Sequence, residues 1–312
     1  MNFICKECGI HFPLIKSLHA HIKKHDLILG DYYVKHYPRL NKLTGKQLPF
    51  KDYHDYFEKD FSSYGQLVEW CESAPVDEAK EYLIEILKKR IIKKKLSYAP
   101  NTVELFTSGL PPMDIYKHLF GSYSEVCKLC DIQPLFNSPL PKEFHTDCRN
   151  VKIFVDTREQ QPLKFNNSEF LKLDVGDYAV GGDDYNYTYV DRKSFGDFCG
   201  TMSKDYKRFA RELQRCRDVG SYLFIVTETD LYKMAEKNRF SPKRFQLDYI
   251  FHNMRYLQHE FKDCCQFVFT GNRSSSQILI PKLLVLGKKL WNVDMQYFLD
   301  SGEMNYFERA AK

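Results

Sequence analysis

The chain has 312 residues, enough for two or three domains at about 150 residues each. Its hydrophobic fraction of 43% and charged fraction of 28% are ordinary for a globular protein, and a net charge of +5 is compatible with a polyanionic partner without identifying one. No segment approaches the ~18 uncharged apolar residues that a membrane span requires, and the opening MNFICKECG lacks the apolar core of a signal peptide. We therefore expect no membrane partner and no secretion.

The N-terminal segment carries a metal-ligand pattern, C-x2-C-x12-H-x3-H. Its candidate ligands are Cys5, Cys8, His21 and His25. A hairpin can present two thiolates at the first spacing, and a helix puts residues four apart on one face, so the set can close a tetrahedral Zn²⁺ site. With Phe12 and Leu18 as its small apolar core, residues 1–27 resemble a C2H2 zinc finger, which implies structural zinc. His11 and His19 are not needed as zinc ligands and are expected to be solvated.

The finger is not expected to read base sequence. The positions that usually face bases hold Leu14, Ser17 and Ala20, which cannot make bidentate contacts, and one finger covers only about three base pairs. We expect it to position the protein, through a protein partner or through phosphate contacts from Lys16, Lys23 and Lys24.

Residues 28–96 are rich in aromatic and basic side chains, as in DYYVKHYPRL and FKDYHDYFEKDF. Alternating aromatic and basic side chains could form a surface on which the bases of a single nucleic acid strand stack. The helical spacing of the aromatic residues instead favours a small hydrophobic core. This region is therefore predicted to be mainly helical.

An amphipathic helix is predicted over residues 78–95, because apolar residues recur there at helical spacing. Those residues are Leu83, Ile84, Leu87, Ile91 and Ile92. The end of this helix is strongly basic, which indicates phosphate binding, a solvated face or cations that stabilise a helix C-terminus. The candidate DNA-binding residues here are Lys88, Lys89, Arg90, Lys93, Lys94 and Lys95.

Residues 97–136 resemble a helix-turn-helix repeat found beside homing-endonuclease domains. The match is carried by the Phe-Gly-Ser-aromatic run Phe120–Tyr123 between two helices, with Cys130 at a small-residue position. The resemblance implies a DNA-binding unit. A second zinc site from Cys127, Cys130, His145 and Cys148 stays open, although buried thiols are favoured because the first pair falls in a helix. Residues 137–150 are interpreted as a linker.

From residue 151 to 292 the pattern becomes α/β, with apolar strands such as VKIFVD, YTYVDRK and SYLFIVT between amphipathic helices. One helix, from 203 to 219, places Phe209, Leu213 and Cys216 on one face. Three successive strands or turns carry an aspartate at the end, namely Asp156, Asp177 and Asp191.

These carboxylates point to phosphodiester chemistry. Hydrolysis of a phosphodiester needs a metal that activates water and neutralises charge at phosphorus, and Mg²⁺ prefers carboxylate and water oxygens. Adjacent strands lie about 5 Å apart, so three strand-end carboxylates can share one ion. Lys193 follows Asp191 by two residues, which puts both side chains on one face of a strand.

The ordered motifs V-D-x-R-E, G-D and D-R-K-x3-D resemble the XPF-type nuclease family. The matching positions are Asp156, Arg158 and Glu159, then Gly176 and Asp177, then Asp191, Arg192, Lys193 and Asp197. Asp191 stands where the family usually has Glu. The resemblance implies a restriction-endonuclease-like α/β domain, with a mixed sheet flanked by helices, that cuts one strand of DNA.

By the same resemblance, Asp156, Asp177 and Asp191 bind Mg²⁺ or Mn²⁺, and Lys193 orients or activates the attacking water. Arg158, Glu159 and Arg192 complete the catalytic set, while Lys207, Arg208 and Arg211 are candidates to hold phosphates. No G-x4-G-K-[ST] motif occurs, so no nucleotide cofactor is expected, and residues 293–312 are interpreted as a tail.

Two alternatives to a DNA endonuclease remain open. A DNA-binding or assembly protein without activity would keep the fold, and a phosphodiester site does not itself choose DNA over RNA. Homodimerisation through the nuclease domain is compatible with the family. The finger and the homing-type repeat fit a phage or mobile-element nuclease. We expect an intracellular protein, cytoplasmic in a bacterial or phage-infected cell or nuclear in a eukaryote.

Overall fold

The computed structural model describes residues 2–302, and the chain divides into two compact units, Met1–Tyr82 and Leu83–Lys312. Met1 and residues 303–312, which are the second half of the predicted tail, lie outside the described part. Within that part no helix is long and apolar enough to cross a membrane.

The first unit begins with a short antiparallel hairpin that pairs Phe3 with Phe12. The hairpin strands are β1 (Phe3–Ile4) and β2 (His11–Phe12), followed by α1 (Ile15–Ile22) and a 3₁₀ turn at Lys23–His25. The helices that follow are α2 (Leu29–His36), α3 (Tyr53–Glu58), α4 (Tyr64–Ser73) and α5 (Val76–Lys94), and the unit boundary falls within α5.

Aromatic side chains form the core of this first unit, which confirms the core interpretation of residues 28–96. Tyr32, Tyr33 and Tyr56 are fully buried in one cluster with Leu18 and Ile22 of α1. The hairpin and α1 therefore share a core with α2 and α3 and are not a separate module. The expectation that His19 is solvated was wrong, because its ring is half-buried and its Nε2 lies 2.9 Å from the Tyr33 hydroxyl.

The second unit contains one six-stranded mixed sheet, in the order β4-β3-β5-β6-β7-β8. The strands are β3 (Ile153–Asp156), β4 (Ser168–Leu171), β5 (Tyr178–Val180), β6 (Thr188–Lys193), β7 (Tyr222–Thr227) and β8 (Cys265–Phe269). The strand β5 runs antiparallel to both neighbours, while β3 with β4, and β6 with β7 and β8, are parallel.

Helices flank this sheet and bury two hydrophobic clusters against it, which confirms the expected fold class for this unit. The helices of the unit after α5 are α6 (Thr102–Thr107), α7 (Met113–Phe120), α8 (Tyr123–Leu129), α9 (Phe195–Thr201), α10 (Tyr206–Asp218), α11 (Met234–Phe240), α12 (Leu247–Glu260), α13 (Arg273–Leu286) and α14 (Met295–Asp300). One cluster gathers α9, α10 and α12, with Leu213 and Leu257 fully buried, and the other gathers α13 and α14.

The helix pair α7 and α8 forms where the Phe-Gly-Ser-Tyr run predicts it. Gly121 ends α7 with a positive φ of 83°, which disfavours a side chain, and the Ser122 hydroxyl then accepts a hydrogen bond from Glu125 N to cap α8. Cys127 and Cys130 are buried, and burial raises the pKa of Cys127 to about 12. In residues 2–302 they do not join His145 and Cys148 in a metal-ligand group.

Several segments differ from the sequence-based interpretation. The segment read as a linker packs tightly: Phe144 is fully buried and its carbonyl accepts a hydrogen bond from Lys282 Nζ at 2.8 Å. The beginning of the predicted tail is also core, because Val293 and Met295 are fully buried. On α5, Ile92 is 75% exposed, so it lies off the apolar face that contains Leu83 and Leu87.

Candidate functional site

The antiparallel pairing around β5 brings the three motif aspartates to neighbouring positions at one edge of the sheet. Asp156 ends β3, Asp177 immediately precedes β5, and Asp191 lies near the end of β6. Their backbones are joined directly, because Asp156 N donates to Asp177 O and Asp177 N donates to Val190 O, both at 2.8 Å.

Steric constraints explain why the G-D motif has a glycine at position 176. Gly176 has a φ of +65°, and a Cβ at this position would lie 2.9 Å from the Val190 carbonyl oxygen of β6. A side chain would therefore both strain the backbone and push Asp177 away from β6. The glycine allows the close approach that sets Asp177 beside Asp191.

Asp191 and Lys193 form a buried ion pair on one face of β6, with Lys193 Nζ 2.8 Å from Asp191 Oδ1. Although burial alone lowers it, the pKa of Lys193 is raised above its ordinary value by Asp191, so the side chain is an ammonium cation. Asp191 Oδ2 is buried and has no hydrogen-bond partner among the described residues. An unsatisfied buried carboxylate oxygen is costly, and a metal ion is one partner that removes the cost.

Asp177 carries the second carboxylate of this group. Burial, and next the negative charge of Asp191, raise the pKa of Asp177 to about 8, although Arg192 N donates to its Oδ2 at 2.7 Å. A half-buried and a buried carboxylate that repel each other favour a shared cation. The residues present therefore fit a divalent metal bound by oxygen atoms.

Asp156 differs from Asp191 because both of its carboxylate oxygens accept hydrogen bonds. Arg158 donates to both of its carboxylate oxygens, at 2.7 and 2.9 Å, and Leu173 N donates to Oδ2 at 2.7 Å. Burial opposes ionisation, but the hydrogen bonds from Arg158 prevail and lower the pKa of Asp156. Within residues 2–302, Asp156, Asp177 and Asp191 are not gathered into one compact ligand group in the way that the N-terminal cysteines and histidines are.

Arg192 and Glu159, both members of the predicted catalytic set, form a buried ion-pair network. Arg192 Nη2 lies 3.1 Å from Glu159 Oε1, and Nη1 lies 2.9 Å from Glu228 Oε2 at the end of β7. The Arg192 side chain is only 8% exposed. The network ties the loop after β3 to β6 and β7, and so it fixes the backbone that bears Asp191 and Lys193. Asp197 accepts from Ser194 Oγ at 2.6 Å at the start of α9.

Glu212 of α10 was missed from the sequence and is close enough to Asp191 and Lys193 for their charges to shift its pKa. Burial, and next the charge of Asp191, raise the pKa of Glu212, whereas Lys193 lowers it. Its helix presents Leu213 and Cys216 to the core, and the signal in the sequence was the acidic residue directly beside that apolar stripe.

The Cys2His2 pattern forms a compact cluster. The ligand atoms of Cys5, Cys8, His21 and His25 all lie within 4.8 Å of one another. Cys8 Sγ lies 3.2 Å from His21 Nε2, and Cys5 Sγ lies 3.5 Å from His25 Nε2. A tetrahedral ion with Zn–S of about 2.3 Å and Zn–N of about 2.0 Å has ligand-to-ligand edges of this length, so the cluster fits zinc.

The candidate DNA-binding side chains are exposed, with one exception. The exposed set is Lys16, Lys23, Lys24, Lys88, Lys89, Lys93, Lys94, Lys95, Lys207, Arg208 and Arg211. Arg90 is instead largely buried, with its Nη2 2.8 Å from the buried carboxylate of Glu104. Its charge is therefore neutralised within the fold.

Comparison with known families locates one recognised domain. Residues 155–283 match the ERCC4 domain. This match confirms the XPF-type resemblance for the region that contains the motif aspartates and Lys193. It covers less than half of the chain and does not reach the Cys2His2 cluster or residues 97–136.

Two solved structures of XPF from Aeropyrum pernix are similar to this chain. One has 18% identity and a TM-score of 0.33 and covers 44% of this chain. The other, described as a complex with DNA, has 20% identity and a TM-score of 0.35 and covers 45% of this chain. Each match spans 66% of the Aeropyrum pernix chain, just under two thirds of its length. No curated protein matches the chain.

Proposed function

We propose that residues 151–292 form a divalent-metal-dependent endonuclease that hydrolyses phosphodiester bonds in DNA. The observation that carries this proposal is the buried group at the edge of the sheet, where Asp191 Oδ2 has no hydrogen-bond partner and stands beside Asp177 and Lys193. The ERCC4 match over the same residues supports the reaction class.

In this proposal Asp177 and Asp191 hold Mg²⁺ or Mn²⁺ with their free carboxylate oxygens. Asp156 is the third candidate ligand, and it can contribute only when Arg158 releases one of its oxygens. When bound, the metal supplies an acidified water and positive charge at the scissile phosphate.

The remaining residues of the set have distinct tasks. The Lys193 ammonium, held by Asp191, donates a hydrogen bond toward the attacking water or the phosphate oxygen and adds positive charge in a buried setting. Arg192 and Glu159 act through the backbone that they hold and are positioning residues. Glu212 adds negative charge near Asp191, which strengthens cation binding.

The N-terminal cluster is proposed to hold structural Zn²⁺ through Cys5, Cys8, His21 and His25. DNA is then contacted by the exposed lysines of the finger, by the end of α5 and by Lys207, Arg208 and Arg211 on α10. A finger and a homing-type repeat beside a nuclease fit a phage or mobile-element protein.

The test is incubation of the full chain with Mg²⁺ or Mn²⁺ and a panel of linear, forked, flapped and single-stranded DNAs, with matched RNAs. Metal-dependent cleavage of DNA supports the proposal. Binding without cleavage on every substrate contradicts it and favours the inactive DNA-binding protein, and cleavage of RNA alone contradicts the assignment of DNA as substrate.

A further inference from the structure

A basic cavity lies between the end of α5 and α12, apart from the carboxylate group at the edge of the sheet. Its volume is about 230 Å³. The basic side chains that line it are Arg90, Lys94, Lys95, His252, Arg255 and His259. Pockets that enclose drug-sized ligands run from about 300 to 1,000 Å³, so this one suits a small group and not a whole cofactor.

The two acids of the lining, Glu104 and Glu260, are outnumbered by its arginine and lysine side chains. Glu104 is buried and already bonded to Arg90 at 2.8 Å and to His259 Nε2. The other acid of the lining, Glu260, is exposed. Among the residues that line it, the cavity therefore holds more arginine and lysine side chains than carboxylates.

Arg255, which lines the cavity, has a side-chain nitrogen without a hydrogen-bond partner in the described part of the chain. Its Nη1 donates to the Thr107 carbonyl at 2.7 Å, but its buried Nε has no partner, and within the described residues no carboxylate lies at ion-pair distance from it. Burial, and next the charge of Arg90, lower the pKa of Arg255 to about 10. His259 Nδ1 is likewise buried without a partner. Buried donors that lack acceptors are uncommon in folded proteins and suit an anionic ligand.

The outer face of α12 beside the cavity carries exposed aromatic rings. Tyr256, which lines the cavity, is 57% exposed, and Tyr249, two helical turns earlier, is 51% exposed. Basic groups next to exposed aromatics are the arrangement that binds single-stranded nucleic acid, because phosphates meet the cations and bases stack on the rings. This combination favours a nucleic acid strand over a free anion.

We propose that this cavity binds one backbone phosphate of a DNA strand through Arg255, His252 and Lys95, with a neighbouring base stacked on Tyr256. The site rests on the proposed function, since it serves the same substrate at a place remote in sequence from the metal motifs. It would anchor the strand while the carboxylate group acts on another phosphate.

The experiment measures binding of a fluorescent single-stranded DNA to the full chain across a salt series, in buffer without added Mg²⁺ or Mn²⁺. The test variants are the surface double substitution Lys95→Gln with His252→Gln, then Arg255→Gln and Tyr256→Ala. The control is Lys128→Gln, which removes one exposed charge on α8 outside the cavity. Inorganic phosphate, followed by thermal shift, is the second probe.

The proposal predicts that the double variant and Arg255→Gln each lower the slope of log affinity against log salt by about 0.7, one contact with a single strand. Tyr256→Ala is expected to weaken binding by about fivefold or more with an unchanged slope. Lys128→Gln should match the parent. If Arg255→Gln fails to fold, the double surface variant decides.

An unchanged slope in the double variant overturns the proposal. A phosphate-induced rise in melting temperature that the double variant abolishes, together with an unchanged DNA slope, also overturns it, because the cavity then takes free anions and not a strand. Since these readouts need no cleavage, an inactive parent that still shows the predicted slopes would refute the nuclease function alone.

Discussion

Lys193 Nζ lies 2.8 Å from Asp191 Oδ1 on one face of β6, while Asp191 Oδ2 is buried without a partner. The lysine occupies one oxygen of this carboxylate, and in the proposed function the other oxygen binds the metal ion. The arrangement follows from a strand, since residues two apart share a face, and from its neighbour β5, which brings Asp177 alongside.

The carboxylate pair Asp177 and Asp191 is predicted to cost stability when no metal is bound. The pKa of Asp177 is raised to about 8, so folding near pH 7 forces this carboxyl to take up a proton; Asp177→Asn removes that cost and should raise the free energy of unfolding by about 0.5–2 kcal/mol at pH 7 in buffer without added Mg²⁺ or Mn²⁺. Added Mn²⁺ should then stabilise the parent more than the variant. Urea denaturation measures both effects, with the exposed neighbour Asp174→Asn as control. Destabilisation by Asp177→Asn would contradict this account.

The Arg192 network is predicted to be needed for folding. Arg192→Met leaves Glu159 and Glu228 buried without their shared partner, so the free energy of unfolding should fall by about 3–5 kcal/mol. Arg149→Met breaks an exposed ion pair with Asp147 and should cost less than about 1 kcal/mol. Chemical denaturation compares the two variants. An Arg192→Met protein as stable as the parent would mean that Arg192 serves the chemistry and not the fold.

Glu212 is predicted to tune the metal site from α10. Glu212→Gln keeps the size of the side chain and removes charge near Asp191, so Mn²⁺ affinity and cleavage should both fall by roughly 10–100-fold, as for residues that support metal ligands elsewhere. The control is Glu236→Gln on α11, which is exposed. Equal Mn²⁺ affinity in the Glu212→Gln protein and its parent would remove this role.

Loss of the zinc that we propose for the N-terminal cluster is predicted to affect more than residues 1–27. His21→Ala removes one ligand, and because Leu18 and Ile22 share a core with Tyr32 and Tyr33, hydrogen exchange should quicken in α2 as well as in α1. The matched control is His11→Ala, an exposed histidine outside the cluster. Faster exchange confined to residues before Asp26 would show that the finger is independent of the aromatic core.

Sequence patterns predicted the elements with a strong hydrophobic signal. The strands β6, β7 and β8, the helix α10 and the location of the motif aspartates at neighbouring strand ends follow from periodicity and motif order. The strand β4 was missed because all four of its residues are exposed, so neither alternation nor an apolar run marks it. This strand is stabilised by parallel backbone pairing with β3.

Contacts between distant residues explain the other differences. His19 is held by Tyr33, Arg90 by Glu104, and Phe144 is covered by α13, and none of these partnerships has a local signature. The division of the motif residues into a carboxylate–lysine group and an ion-pair network also depends on side-chain geometry. Motif spacing assigns Arg192 and Lys193 to one site but cannot distinguish their tasks.

The central claim is tested most directly by single-turnover cleavage of DNA in Mn²⁺ by Asp191→Asn, measured beside Asp191→Glu and the parent. Asp191→Asn preserves size and removes the charge, so folding and DNA binding should survive while cleavage collapses. Asp191→Glu should retain partial activity, because a longer carboxylate still reaches the ion with altered geometry. If Asp191→Asn cuts as fast as the parent, the metal site is misassigned and the proposed nuclease mechanism is contradicted.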